Sequence, residues 1–278
     1  MGLDAFRADM ILDKRISDII SFANGKDCFP DISTGGICIF LWDKNHNGNC
    51  RFITRRAGTA YEKERNLSKY QFVIRDNTAL DILEKIETST TEFISSKVSS
   101  INVFNFSSKS RGTEEKLTND DYELLSSNGF GFVSKDTITD IEMANKYKVI
   151  VSQVISEHAA EPDKNGMYKL LSSLKVLRPK QVCTFSYLVV SVFDDMNSAN
   201  NCSRYLSTKF ARFMILQAVS SIHLTKDKFV FVPMQNFTAE SDIDWSKSVP
   251  EIDKQLYAKY NLDESEIAFI ESMIKPME

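Results

Sequence analysis

The chain has 278 residues, a net charge of −4, 42% hydrophobic and 26% charged residues, a profile that fits a soluble globular protein of one large or two ordinary domains. Six prolines and ten glycines argue against a disordered or repetitive architecture. No apolar run approaches the roughly 18 residues of a membrane span, and Met1-Gly2-Leu3-Asp4 lacks the charged-then-apolar run of a secretion signal.

In chain order, Phe6, Met10 and Ile11 have helical spacing, which predicts a short amphipathic helix over residues 4–13. Ile16–Phe22 is rich in β-branched residues and predicts a buried strand, followed by the turn signal Asn24-Gly25-Lys26-Asp27. Ile37–Trp42 is a continuous apolar run and predicts a second buried strand. A hairpin-like loop over Asp43–Asn49 then leads into a strand at Arg51–Thr54. Gln71–Arg75 reads as another strand, and Thr78–Ile86 as a helix with Asn77 as its cap. A domain boundary is placed near residue 76. Residues 87–185 are irregular, with Ser/Thr/Asn-rich stretches at 88–113, strands near Tyr147–Ile155 and a loop at Glu161–Gly166. Phe185–Phe193 predicts a strand. Ser198–Ser221 predicts one long helix, with Leu206, Phe210, Phe213, Met214 and Ala218 on one stripe. A short strand at Asp227–Pro233 and helices at Ile252–Tyr260 and Glu264–Ile274, the latter capped by Asp263, close the chain.

The five cysteines are Cys28, Cys38, Cys50, Cys183 and Cys202. They are odd in number and none is in a C-x-x-C pair, so they read as free thiols in a reducing cytoplasm. His46, His158 and His223 are far apart and form no zinc pattern with them. Residues 51–75 hold seven basic and two acidic side chains, and residues 239–278 hold ten acidic and four basic. A basic middle and an acidic tail fit one face on a polyanion; ordinary solvated charge is the alternative.

Phe6-Arg7, Ile16–Phe22, Phe29-Pro30 and Gly35-Gly36 before Ile37–Trp42 resemble, in order and spacing, the closing piece of the catalytic domain of DNA adenine methyltransferases from type II and type III restriction–modification systems. Further on, Arg178-Pro179 before Ser186–Val189, the Tyr205–Phe213 segment, Phe229–Pro233, Asp253–Tyr260 and Glu266–Glu271 resemble the tails of those enzymes. The resemblance implies a mixed α/β chain. Residues 1–75 would be an incomplete Rossmann-like sheet piece, and 76–278 a target-recognition domain with C-terminal helices. It also implies that the parts holding S-adenosylmethionine and doing chemistry precede this stretch.

The [Asp/Asn]-Pro-Pro-[Tyr/Phe] motif of that family is absent, since the chain has no Pro-Pro pair. Gly129-Phe130-Gly131-Phe132 is the one close glycine pair flanked by aromatics. It lacks a preceding strand-borne Asp and reads as a loop entering a strand rather than a cofactor loop. Glu114-Glu115-Lys116 is a solvated charge cluster and not the Mg²⁺ site of a nuclease. The chain is therefore expected to carry no catalytic residue and no cofactor site, with S-adenosylmethionine expected only for a full-length enzyme. By the resemblance, Phe29 stands where the family places the aromatic that stacks on a flipped adenine; an ordinary core residue before a proline turn is the alternative. Asp31 departs from the glycine more usual after Phe-Pro.

Duplex DNA is the expected partner. Candidate backbone contacts are Arg55, Arg56, Arg65, Lys69, Arg75, Lys109 and Arg111, with Lys209 and Arg212 on the predicted long helix; for those two, snorkelling over a packed aromatic face is the alternative. The small, polar Ser107–Gly112 loop has the make-up of a groove-reading loop, with Asn102, Asn105 and Arg111 as candidates for base edges; a disordered surface loop is the alternative. The expected role is target recognition beside a separate catalytic methyltransferase part. The alternatives are a non-catalytic docking subunit using the sheet edge at residues 16–42, or a decayed gene product.

Overall fold

Ile16, Ile19 and Ser21 along Ile16–Phe22, and Cys50, Phe52 and Thr54 along Cys50–Arg56, are buried, so both segments form strands with one buried face. Ile16, Ile19, Cys50 and Phe52 make a small core with Met10, Leu67 and Val73. The computed structural model describes residues 4–29, 31, 36–56, 58–155, 162–163, 166–219 and 221–277. Two compact units emerge, Met1–Glu84 and Lys85–Glu278. The architecture is mixed α/β. No described helix is long and apolar enough to cross a membrane.

The first unit opens with helix α1 (Asp4–Leu12) and builds one sheet from β1 (Ile16–Phe22), β2 (Ile37–Trp42), β3 (Cys50–Arg56) and β4 (Thr59–Arg65), in the order β2-β1-β3-β4. β1 is antiparallel to β2 and parallel to β3, and β3 and β4 form an antiparallel hairpin. Helix α2 (Asn77–Ser89) is amphipathic, and Ala79, Leu80, Ile82 and Leu83 on it are buried. It starts one residue earlier than the pattern suggests. Asp76 Oδ1 accepts from Thr78 N–H at 2.9 Å and acts as the cap. Asn77 is fully buried. Its Nδ2 donates to the carbonyls of Phe52 (2.9 Å) and Tyr61 (2.8 Å), and its N–H donates to Thr54 Oγ1 (3.0 Å).

Residues 71–75 are not a strand. The buried Arg65 guanidinium donates to the Ile74 carbonyl at 2.7 Å. A side chain thus satisfies backbone that a ladder would otherwise engage.

The second unit has two three-stranded sheets. β5 (Tyr122–Ser126), β6 (Gly129–Val133) and β9 (Gln181–Cys183) form one, in the order β6-β5-β9. β7 (Tyr147–Ser152), β8 (Leu174–Leu177) and β10 (Tyr187–Phe193) form the other, in the order β10-β7-β8. Phe104, Tyr122, Leu124, Ile150, Val182 and Val189 share a core with the short helix α3 (Ile141–Ala144). Gly129, at φ 104°, closes the β5–β6 hairpin. Gly131 is bare because a Cβ there would collide with the Arg111 carbonyl oxygen; residues 111–113 run against β6, with Thr113 N–H donating to the Phe132 carbonyl at 2.8 Å.

The single long helix expected at 198–221 is two helices, α4 (Met196–Ser207) and α5 (Lys209–Ala218). Thr208 breaks it with extended backbone and caps α5, its Oγ1 accepting from Ala211 N–H at 3.1 Å. The apolar stripe persists across the break, so spacing alone does not reveal it. Residues 227–233 give one 3-10 turn, Lys226–Phe229, and an isolated bridge between Phe93 and Pro233 instead of a strand. Helices α6 (Val249–Lys259) and α7 (Glu264–Met273) both begin with capping boxes, Ser248 with Glu251 and Asp263 with Glu266.

Candidate nucleic-acid interface

The predicted cations divide by environment. In the first unit Arg65 is buried, its guanidinium 3.9 Å from the centre of the Phe52 ring and bonded to Ile74; burial pushes its pKa down to about 10. It is a structural pin rather than a phosphate contact. Lys69 pairs with Glu84 at 3.1 Å, and Arg56 with Asp76 at 3.7 Å. Arg55 and Arg75 are exposed and have no carboxylate partner among the described residues. Phe29 follows a 3-10 turn, Gly25–Asp27, with its N–H donating to the Gly25 carbonyl at 2.8 Å. It is 48% exposed, so it is not a core residue. Pro30 and residues 32–35 of the Phe-Pro and Gly-Gly motifs lie outside the described residues.

In the second unit Lys109 and Arg111 are exposed, with Arg111 Nη1 turned back to the carbonyls of Ser108 (2.7 Å) and Ser110 (2.9 Å). Asn102 (φ 58°) and Asn105 (φ 61°) both sit in left-handed backbone, and Asn105 N–H donates to the Asn102 carbonyl at 2.9 Å. Asparagine tolerates that conformation better than most residues, so these two shape the loop. Asn105 is exposed, whereas Asn102 Oδ1 is buried and has no hydrogen-bond partner.

Lys209 and Arg212, expected at phosphates, are engaged inside the fold. Arg212 is 1% exposed, with Nε donating to the Thr208 carbonyl (3.1 Å) and Nη1 to the Lys275 carbonyl (2.6 Å). Lys209 pairs with Glu271 at 2.5 Å. Asp253 accepts from the N–H groups of Lys209 (3.0 Å) and Phe210 (2.9 Å) at the start of α5. Burial pushes its carboxyl up to about 6 against those two donors. The pair therefore belongs to a polar network that locks α5 to α6 and α7, and neither side chain is free for phosphate.

A buried polar network and a charged strand are ordinary; the face of β2 is not. The run expected to be buried is an edge strand, with Ile39 and Phe40 each 50%, Leu41 56% and Trp42 43% exposed. Register aligns Ile39 with Ile20 and then Ile53 in an apolar row across β2, β1 and β3, and Ile37 with Phe22, whose neighbour on β3 is Arg55. These residues lie opposite the buried set of Ile19, Ser21, Phe52 and Thr54. β2 carries no charge, whereas the other edge, β4, has Glu62, Lys63, Glu64 and Arg65. Natural sheets protect edges with charge, so an uncharged edge with both faces exposed is the pattern of a strand meant to be covered.

The residues present do not fit an S-adenosylmethionine site. β1 and β3 are the one parallel pair in this sheet, and β1 runs into the 3-10 turn at Gly25–Asp27 instead of a glycine-rich turn and helix. Among the described residues no cluster of His, Cys, Asp and Glu could hold a metal ion.

No described protein family matches the chain, and no curated protein matches it. Among solved structures it is similar to the type IIG restriction endonuclease BpuSI, at 10% identity and a TM-score of 0.38, with 98% of this chain and 45% of that one covered. The chain thus spans less than half the length of that enzyme.

Proposed function

We propose that the chain is the target-recognition part of a restriction–modification DNA adenine methyltransferase, holding duplex DNA while a separate catalytic part binds S-adenosylmethionine and transfers the methyl group. The observation that carries this reading is the β1–β2 hairpin. The residues that carry the resemblance fold consecutively as α1, β1 and β2, and the outer strand is uncharged and open on both faces, as the closing piece of a larger sheet would be. Arg55 and Arg75 are the first-unit phosphate contacts, and Lys109 and Arg111 with Asn105 are the second-unit ones. Phe29 is the stacking aromatic, available once the missing half of the pocket is supplied. Arg65, Lys209 and Arg212 drop out because their charges are used inside the fold.

The test is the double variant Arg55→Ala/Arg75→Ala against random duplex DNA at several salt concentrations. Loss of two phosphate contacts lowers affinity several-fold at every sequence and flattens the log–log salt slope by about 2. Affinity and slope equal to those of the unmutated chain would remove these residues from the interface.

A second reading, a docking subunit without DNA contact of its own, is favoured by the same uncharged β2 edge. It predicts capture of a catalytic methyltransferase by the chain without DNA, abolished by Ile39→Lys/Leu41→Lys, and no salt-dependent DNA binding.

A further inference from the structure

Residues 164–193 contain five basic side chains and no acidic one, the largest basic excess in any acid-free run of the sequence. Three of the five, Lys175, Arg178 and Lys180, lie on β8 and the turn joining it to β9, and all three are exposed. None has a carboxylate partner among the described residues. Lys175 Nζ lies 5.9 Å from the centre of the Tyr187 ring, and Lys180 Nζ 5.9 Å from that of Tyr122. The nearby acids are engaged elsewhere: Glu142 and Asp194 with Lys146, and Glu123 with Gln181 Nε2 at 2.6 Å.

The turn is rigid. Gln181 N–H donates to the Arg178 carbonyl at 3.1 Å, and Arg178 N–H donates to Gln181 Oε1 at 2.8 Å. Lys180 N–H donates to the Ala144 carbonyl (3.0 Å), and Glu123 N–H donates to the Lys180 carbonyl (2.9 Å). Beneath it lies the fully buried Lys148, whose Nζ donates to the carbonyls of Ala144 (2.8 Å), Lys146 (2.8 Å) and Arg178 (3.1 Å). The buried Lys148 amine therefore ties the stretch after α3 to the β8–β9 turn and holds the turn in place.

Lys180 is the residue that stability alone would not choose. It follows Pro179 in this turn at φ 63°, the third turn position, where left-handed backbone favours glycine. A long cationic side chain is held there against that preference, beside two other cations that have no carboxylate partner among the described residues, and on a pre-organised base.

We propose that the β8–β9 turn, through Lys175, Arg178 and Lys180, is a phosphate-gripping surface for duplex DNA. The proposal rests on the DNA-recognition reading and adds to it a contact region in the second unit that does not involve the Ser107–Gly112 loop. The three cations would sit on the phosphodiester backbone, giving affinity without sequence preference.

The experiment measures duplex binding of the intact chain across a salt series. It compares the unmutated protein, Lys175→Ala/Arg178→Ala/Lys180→Ala and the single variant Lys180→Gly. The triple variant is expected to bind at least tenfold more weakly, with a salt slope flatter by two to three. Lys180→Gly is expected to bind several-fold more weakly while its unfolding midpoint stays level or rises, because glycine accepts the left-handed backbone. A folding defect would move both measurements the same way. If the unmutated chain binds DNA and both variants bind it with unchanged affinity and slope, the turn is overturned as a contact and the wider reading stands. If the unmutated chain binds no duplex, the wider reading falls and takes this contact with it.

Discussion

The two edges of the first sheet show how differently one chain treats the same problem. At β4, four of seven residues are charged. Lys63 bridges Asp81 at 2.5 Å and Glu84 at 2.8 Å, Tyr61 donates to Asp81 at 2.7 Å, and Arg65 is stacked on Phe52. That edge is finished. At β2, six residues carry no charge and four large apolar side chains stand half in water. The covered inner face holds the unit together, while the open face and free edge contribute little to its stability. Energy and function are therefore separable here: changes on the β4 side should damage the fold, and changes on β2 should damage only assembly.

The sharpest way to break that comparison is Asn77→Ala. It removes the two Nδ2 bonds to the Phe52 and Tyr61 carbonyls and the 3.4 Å bond that Asn77 Oδ1 accepts from Arg65 Nη1, and should cost about 3 kcal/mol in urea unfolding. A loss near zero would mean that α2 is not anchored through this residue. A comparable effect from the second unit comes from pH. Asp253 is held at about 6 by burial against an unfolded value of about 3.9. Between those values the folded chain binds more protons than the unfolded chain. Stability from this group is therefore full below about pH 4 and declines as pH rises through 6, by up to roughly 3 kcal/mol. Asp253→Asn should lack that component, and identical pH–stability profiles would refute the assignment. On β4, Lys63→Ala should cost about 1 kcal/mol, the scale of a partly exposed ion pair. The smallest expected effect is on β2: Ile39→Lys/Leu41→Lys should leave stability within about 0.5 kcal/mol and make the chain more soluble. A large loss of stability there would show that the edge is already part of this unit's own core.

The sequence was most legible where local signals were complete. Period and turn residues located β1 and β2 to the residue, and Asp263 marked the start of α7. It was least legible where a side chain replaced a backbone partner, as Arg65 does for residues 71–75, and where a capping threonine broke a helix without disturbing its apolar stripe, as Thr208 does. Exposure was the other blind spot. The apolar run Ile37–Trp42 reads as buried, because composition cannot say whether a strand has neighbours on both sides. For the site, positive charge in the sequence did not distinguish Arg55 and Arg75, which are exposed, from Arg212, which is sealed in a helix junction. The contact proposed for the β8–β9 turn has no local signature, because its signal is an absence of acids over thirty residues, not a cluster of bases.

The most direct measurement is titration of the purified chain against random duplex DNA at two salt concentrations, with S-adenosylmethionine binding followed in parallel. The account predicts DNA affinity that falls steeply as salt rises, by about 0.9 log units per tenfold salt for each phosphate contact, and no cofactor binding. Absence of salt-dependent DNA binding would contradict the recognition role, and tight cofactor binding would contradict the division between a recognition part and a catalytic one.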